Sequence, residues 1–164
     1  MSESIELSAG DKAGRYRELL PQLAALVADE PDLIANLANL AAALKQGIST
    51  ASWVGFYILR GEELVLGPFQ GLVACVRIAL GRGVCGTAAA SRATLIVPDV
   101  DQFPGHIACD AASRSEIVVP LVEPNSGRLL GVLDVDSAEL AAFDDTDAEA
   151  LGRVAALAGS LPGW

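Results

Sequence analysis

Apolar residues recur at helical spacing through the first third of the chain. Leu19, Leu20, Leu23, Leu26 and Val27 form one stripe, and the spacing predicts a helix over 13–27. Asp29-Glu30-Pro31 breaks it. Pro31 suits the first turn of a second helix. That helix carries Leu33, Leu37, Leu40 and Leu44 and ends at Gly47. Both stripes are one-sided, so each helix must cover a sheet face, its neighbour or a second copy of the chain.

After Gly47 the pattern changes. Trp53 to Leu59 is aromatic and β-branched, Gly61 turns, and Glu63 to Leu66 returns, which reads as a hairpin. Further strands are predicted over 75–80, 94–97, 116–122 and 129–136. A short Ala-rich helix is predicted over 83–92, a loop over 102–112 and a turn at Pro124-Asn125-Ser126-Gly127. The closing helix covers 144–161, with Asp144 or Asp145 as its cap and acids in its first turn. Six strands, several joined by tight turns, with helices at both ends make an α+β domain with a largely antiparallel sheet. Residues 1–12 read as a polar tail and 13–164 as a single domain.

Composition narrows the class. The chain is 52% hydrophobic with no low-complexity tract, so it folds. No apolar run approaches the roughly 18 residues of a membrane span. The polar, acidic start has no signal-peptide character, so the expected address is the cytoplasm, away from membranes. Net charge is −10, from 21 acids against 11 bases with no basic cluster, which disfavours a nucleic-acid partner.

The last strand carries the most informative local pattern, Leu133-Asp134-Val135-Asp136. Residues i and i+2 share a strand face, so both aspartates point one way. Two carboxylates a few Å apart repel, and one holds a proton to higher pH than usual, which suits a general acid or a cation ligand. A solvated strand edge is the bland alternative. Glu116 opens the strand that a short turn joins to this one. Antiparallel pairing brings it towards the aspartates, so three acids can converge on one pocket.

Three other patterns compete. Gly81-Arg82-Gly83-Val84-Cys85-Gly86 spells the dinucleotide-binding glycine pattern, but no doubly wound context surrounds it. A tight turn needing close helix packing explains it more simply. Cys75, Cys85, Cys109 and His106 invite a zinc reading. Their spacing opposes it, with nine residues between the first two cysteines and 23 between the next two, so no metal is expected. The third reading is thiol redox chemistry. Cys109 sits in a loop with His106 and Arg114 near, and cations favour the reactive thiolate. A second cysteine within reach resolves a sulfenic acid into a disulfide.

These blocks together resemble one family. The likeness runs through Trp53-Val54-Gly55-Phe56-Tyr57 and Leu64-Val65-Leu66-Gly67-Pro68-Phe69-Gln70-Gly71. It continues in Ala74-Cys75-Val76-Arg77-Ile78, Gly81 to Thr87, Phe103 to Asp110 and Ser115 to Pro120, and ends in Gly131 to Ser137. It is similar to the free methionine-R-sulfoxide reductases, over roughly 13–160. The resemblance implies a GAF-like catalytic domain over 13–164. It implies Cys109 as the attacking nucleophile, Cys75 as the resolving thiol and Cys85 as an accessory or alternative resolving thiol. It also implies Glu116, Asp134 and Asp136 as the acids of the substrate pocket, with Trp53 and Tyr57 as its aromatic walls. Two departures stand out. The Pro124–Arg128 turn is slightly longer than usual, and Ala79-Leu80 replaces a Pro-Phe-like pair.

The expected reaction is reduction of free methionine-(R)-sulfoxide to methionine, with no bound cofactor. Cys109 attacks the sulfoxide sulfur, Cys75 condenses with the resulting sulfenic acid, and an external dithiol, thioredoxin, resets the enzyme. A carboxylate cage selects the free amino acid through its ammonium. Among the acids, Glu116, with Asp136 assisting through a water, is expected as the proton source and Asp134 as the ammonium ligand. The rival is a non-catalytic GAF sensor module binding a small ligand. Three acids disfavour an anionic nucleotide, and 164 residues leave little room for an output domain. The N-terminal helices suit a homodimer.

Overall fold

The structure is a computed structural model that describes residues 4–164. Helices α1 (Lys12–Leu26) and α2 (Leu33–Gly47) lead into the hairpin β1 (Ala51–Arg60) and β2 (Glu63–Gln70). A short β3 (Arg77–Ala79), α3 (Gly83–Ser91) and a short β4 (Leu95–Val97) follow. A 3₁₀ turn over Val100–Gln102 opens a long loop, and β5 (Ser115–Val122), β6 (Leu129–Ser137) and α4 (Asp145–Gly159) complete the chain. The six strands form one sheet in the order β3-β2-β1-β6-β5-β4, with every ladder antiparallel. The α+β fold and six strands expected from the sequence are present.

Alternation along the three central strands sends neighbours to opposite faces. Val54, Phe56 and Ile58 of β1, Ile117 and Val119 of β5, and Leu133 and Val135 of β6 pack under α2 and α4. Each such side chain contributes about 1.5–3 kcal/mol on burial. Helix α1 rests across α2 and α4. The apolar stripes of both N-terminal helices are thus covered within the chain, which removes the reason the sequence offered for a homodimer. Trp53, Tyr57, Val118 and Val132 face the other way, towards α3.

Local chemistry moved several boundaries. Helix α2 starts at Leu33, because the Asp32 carboxylate accepts the Ala35 amide at 2.8 Å and serves as cap; Pro31 lies outside the helix. Asp144 caps α4 by accepting the amides of Thr146 and Asp147, while Asp147 accepts the Asp144 amide. Asp147 is buried and also accepts from Tyr16 Oη and Lys12 Nζ, each at 2.6 Å, which clamps α1 to α4. Lys12 therefore belongs to a helix rather than to a tail. Ile5 and Leu7 pack against the core, and Ser8 donates to Glu18. Residues 1–3 of the expected tail lie outside the described residues.

The third strand is shorter than expected, and Cys75 stands in the loop before it. Tyr57 Oη donates to the Cys75 carbonyl at 3.0 Å, so a side chain takes the place of a ladder bond there. The glycine pattern at 81–86 is a packing device. Gly81 and Gly83 adopt positive φ, and a Cβ on Gly86 would meet the Ala79 carbonyl, so only glycine lets α3 sit this close. Among the described residues no helix is long and apolar enough to cross a membrane.

Candidate active site

The hairpin of β5 and β6 sets the floor. Its register pairs Glu116 with Asp136 and Val118 with Asp134. On the other side of β6, Trp53 pairs with Asp136 and Gly55 with Asp134. Trp53, Asp136 and Glu116 thus form one row across three strands, and Asp134 lies one step deeper. A Cβ on Gly55 would overlap the Trp53 indole, so the missing side chain is what lets the ring lie flat over the strand. The ring stacks on Tyr57 and Phe69, at centroid distances of 6.0 and 5.3 Å.

Above this floor lies a pocket closed by α3 and by two loops, 71–76 and 103–114. Each loop brings one cysteine, and Cys75 and Cys109 are joined in a disulfide with Cα atoms 5.3 Å apart. The first loop is pinned from below: Trp53 Nε1 donates to the Leu72 carbonyl at 3.0 Å and Tyr57 Oη to Cys75. Cys85 on α3 is a free, buried thiol that donates to Glu116 Oε1 at 3.8 Å. His106 Nε2 stands 4.0 Å from the other Glu116 oxygen.

Burial dominates the electrostatics. Glu116 is pushed up to about 8, first by desolvation and then by the charge of Asp136. Asp134 is held well above the usual carboxylate range by desolvation and by Glu116. Asp136, half-buried nearer the mouth, is raised by its own desolvation and by Asp134. The Cys85 thiol is raised by burial and by the same acids, so it stays protonated. Such a floor donates protons. One sulfur and two carboxylates within 4.8 Å of one another also have the atoms for a small cation, but burial shifts each of the three towards its neutral form, which weakens such a site.

Among the described residues, two buried side-chain polar atoms lack a hydrogen-bond partner: Ser113 Oγ and Asp134 Oδ1. Both line this pocket. Polar atoms without a partner are costly inside a protein, and both of these border the space a ligand would fill.

The GAF-domain family model matches residues 27–161. The free methionine-R-sulfoxide reductase of Escherichia coli (strain K12) is 49% identical, covering 89% of this chain and 87% of its own. A structure of free methionine-R-sulfoxide reductase from Neisseria meningitidis in complex with its substrate is 55% identical. It covers 96% of this chain and 93% of its own, with a TM-score of 0.92. The chain belongs to the GAF-domain family of free methionine-R-sulfoxide reductases. GAF domain-containing protein A of Dictyostelium discoideum is 54% identical over 94% of this chain and 96% of its own, so the GAF family match extends beyond bacteria.

For this GAF-domain reductase chain, every acid, aromatic and cysteine singled out in the sequence lines the pocket except Cys75, which reaches its rim through the disulfide. Arg114 does not join them. It is exposed, and its backbone instead ties the long loop to Ser137 and Val100. Sequence reasoning missed Arg82 at the rim and Ser113 on the wall. Ser113 carries no motif of its own; its place between Cys109 and Glu116 was the one available signal.

Proposed function

We propose that this chain reduces free methionine-(R)-sulfoxide to methionine by thiol chemistry, without a bound cofactor. The observation that carries the reading is the Cys75–Cys109 pair at the mouth of a pocket floored by three acids. The Cys109 thiolate attacks the sulfoxide sulfur while the oxygen takes one proton from the floor. Methionine leaves, and Cys109 keeps the oxygen as a sulfenic acid. The Cys75 thiol displaces that oxygen as water and forms the disulfide. An outside dithiol protein of the thioredoxin type returns two electrons and two protons.

The depth of each acid suggests its task. Glu116 and Asp134 are buried beside each other, and a proton held between them is available to the departing oxygen. Asp136 is nearer the mouth and half-buried, so it is the better ligand for a substrate ammonium, which restores its charge. This moves the ammonium from Asp134, where the strand pattern had put it, to Asp136. Trp53 and Tyr57 offer apolar faces to the methyl and side-chain carbons. Cys85 serves Glu116 as a hydrogen-bond donor, an accessory role.

The test is direct. The purified chain, reduced and freed of reductant, is mixed with the separated R and S forms of free methionine sulfoxide. One methionine per chain from the R form, with loss of two thiols, is the expected result. Turnover of neither form, or thiol loss without methionine, removes the reading.

A further inference from the structure

Among the described residues, six large apolar side chains are substantially exposed, and four of them sit in the two loops that carry the disulfide. Leu72, Val73 and Val76 are 68%, 87% and 62% exposed around Cys75, and Ile107 is 37% exposed beside Cys109. Apolar side chains usually leave water by folding inwards. These are held outwards by their backbone, because the carbonyls of Leu72, Cys75 and Val76 are fixed by Trp53, Tyr57 and the Leu66 amide. They form an apolar collar on a chain of net charge −10. Grouped exposed apolar residues mark interaction sites, and the disulfide at the centre of this group specifies the occupant.

We propose that Leu72 and Val76, with the loop they belong to, are the docking surface for the dithiol protein that reduces Cys75–Cys109; this rests on the thiol cycle above. The partner presents an apolar surface around its own nucleophilic cysteine. Its thiolate attacks Cys75 Sγ, the Cys75–Cys109 bond breaks, and Cys109 leaves as a thiolate that takes up a proton. The partner's second thiol then attacks its own sulfur in the mixed disulfide, freeing Cys75 and leaving the partner oxidised. Two electrons pass to this chain and every sulfur is accounted for.

The experiment needs no sulfoxide. The oxidised chain is mixed with reduced thioredoxin, or with dithiothreitol, and the second-order rate constant for appearance of its thiols is read for the parent and for a Leu72→Ser, Val76→Ser double variant. The expected result is a rate constant with thioredoxin lowered about tenfold, the size of a lost apolar contact at an interface, with that for dithiothreitol unchanged. An unchanged thioredoxin constant, or an equal fall with both reductants, overturns the docking surface. Failure of sulfoxide turnover in the parent overturns the thiol cycle instead, and is read separately.

Discussion

The two faces of the sheet use the same three strands to opposite ends. Under α2 and α4 the middle of these strands is apolar, from Phe56 to Leu133, and the buried serines Ser115 and Ser137 at the strand ends are each hydrogen-bonded. Beneath α3 and the cysteine loops the neighbours of those residues are Tyr57 and Asp134, with two unpaired polar atoms and acids stripped of water. One face supplies the stability that the other spends. A buried carboxyl with one oxygen left without a partner costs folding energy, and a pleat one residue away is where that cost is offset.

The contrast breaks most visibly at the cysteines. Cys109→Ser is expected to reduce sulfoxide turnover to background, whereas Cys75→Ser should give one methionine per chain and then stop; a quenched-flow burst assay separates the two. Next in size is the substrate's ammonium. N-acetyl-methionine sulfoxide leaves Asp136 unpaired, and kcat/KM should fall about 100-fold or more; equal values for the two substrates would remove the ammonium site. Adjacent residues of β6 then give the sharpest comparison. Leu133→Ala should cost about 2–5 kcal/mol in denaturant unfolding through its cavity, with kcat kept by the molecules that remain folded. Asp134→Asn should leave stability unchanged or raised and lower kcat at least about tenfold.

Smaller and more diagnostic is pH. The Glu116 carboxyl is raised to about 8 in the folded chain from an ordinary 4.5. The folded state therefore binds its proton more tightly, so this group's contribution to stability declines as pH rises between those two values. If its protonated form is the acid, kcat/KM falls above about pH 8, and Glu116→Gln abolishes that limb of the profile. A profile flat through pH 9 would move the acid role elsewhere.

Much of this was legible in sequence because it is periodic. The leucine stripes mark α1 and α2, and Asp134 and Asp136 share a face because strand alternation allows nothing else. The short turn at 123–128 fixes the β5–β6 register, so Glu116 opposite Asp136 was within reach of sequence reasoning. What escaped it is what tertiary contacts decide. The Tyr57 hydroxyl took the Cys75 carbonyl and shortened the third strand. Asp32 displaced Pro31 at the start of α2 through one side-chain hydrogen bond. The depth that separates Asp134 from Asp136, and the unpaired hydroxyl of Ser113, depend on how loop 103–114 folds over the sheet, which has no period to read.

The hydrogen bonds from Trp53 and Tyr57 to the first loop have a mechanical consequence. Both donors are walls of the pocket and both acceptors are backbone atoms of the segment that carries Cys75. Neither anchor uses the Cys75 thiol, so neither depends on its bond to Cys109. Closing the disulfide becomes the approach of one tether to a fixed post, and the entropy of positioning Cys75 is already spent before the sulfenic acid forms. The opposite loop has no such anchor beside its cysteine: the Cys109 amide bonds the Ile107 carbonyl two residues back, within the loop itself. In the proposed cycle one pair of side chains, Trp53 and Tyr57, thus serves both as pocket wall and as anchor for the resolving thiol.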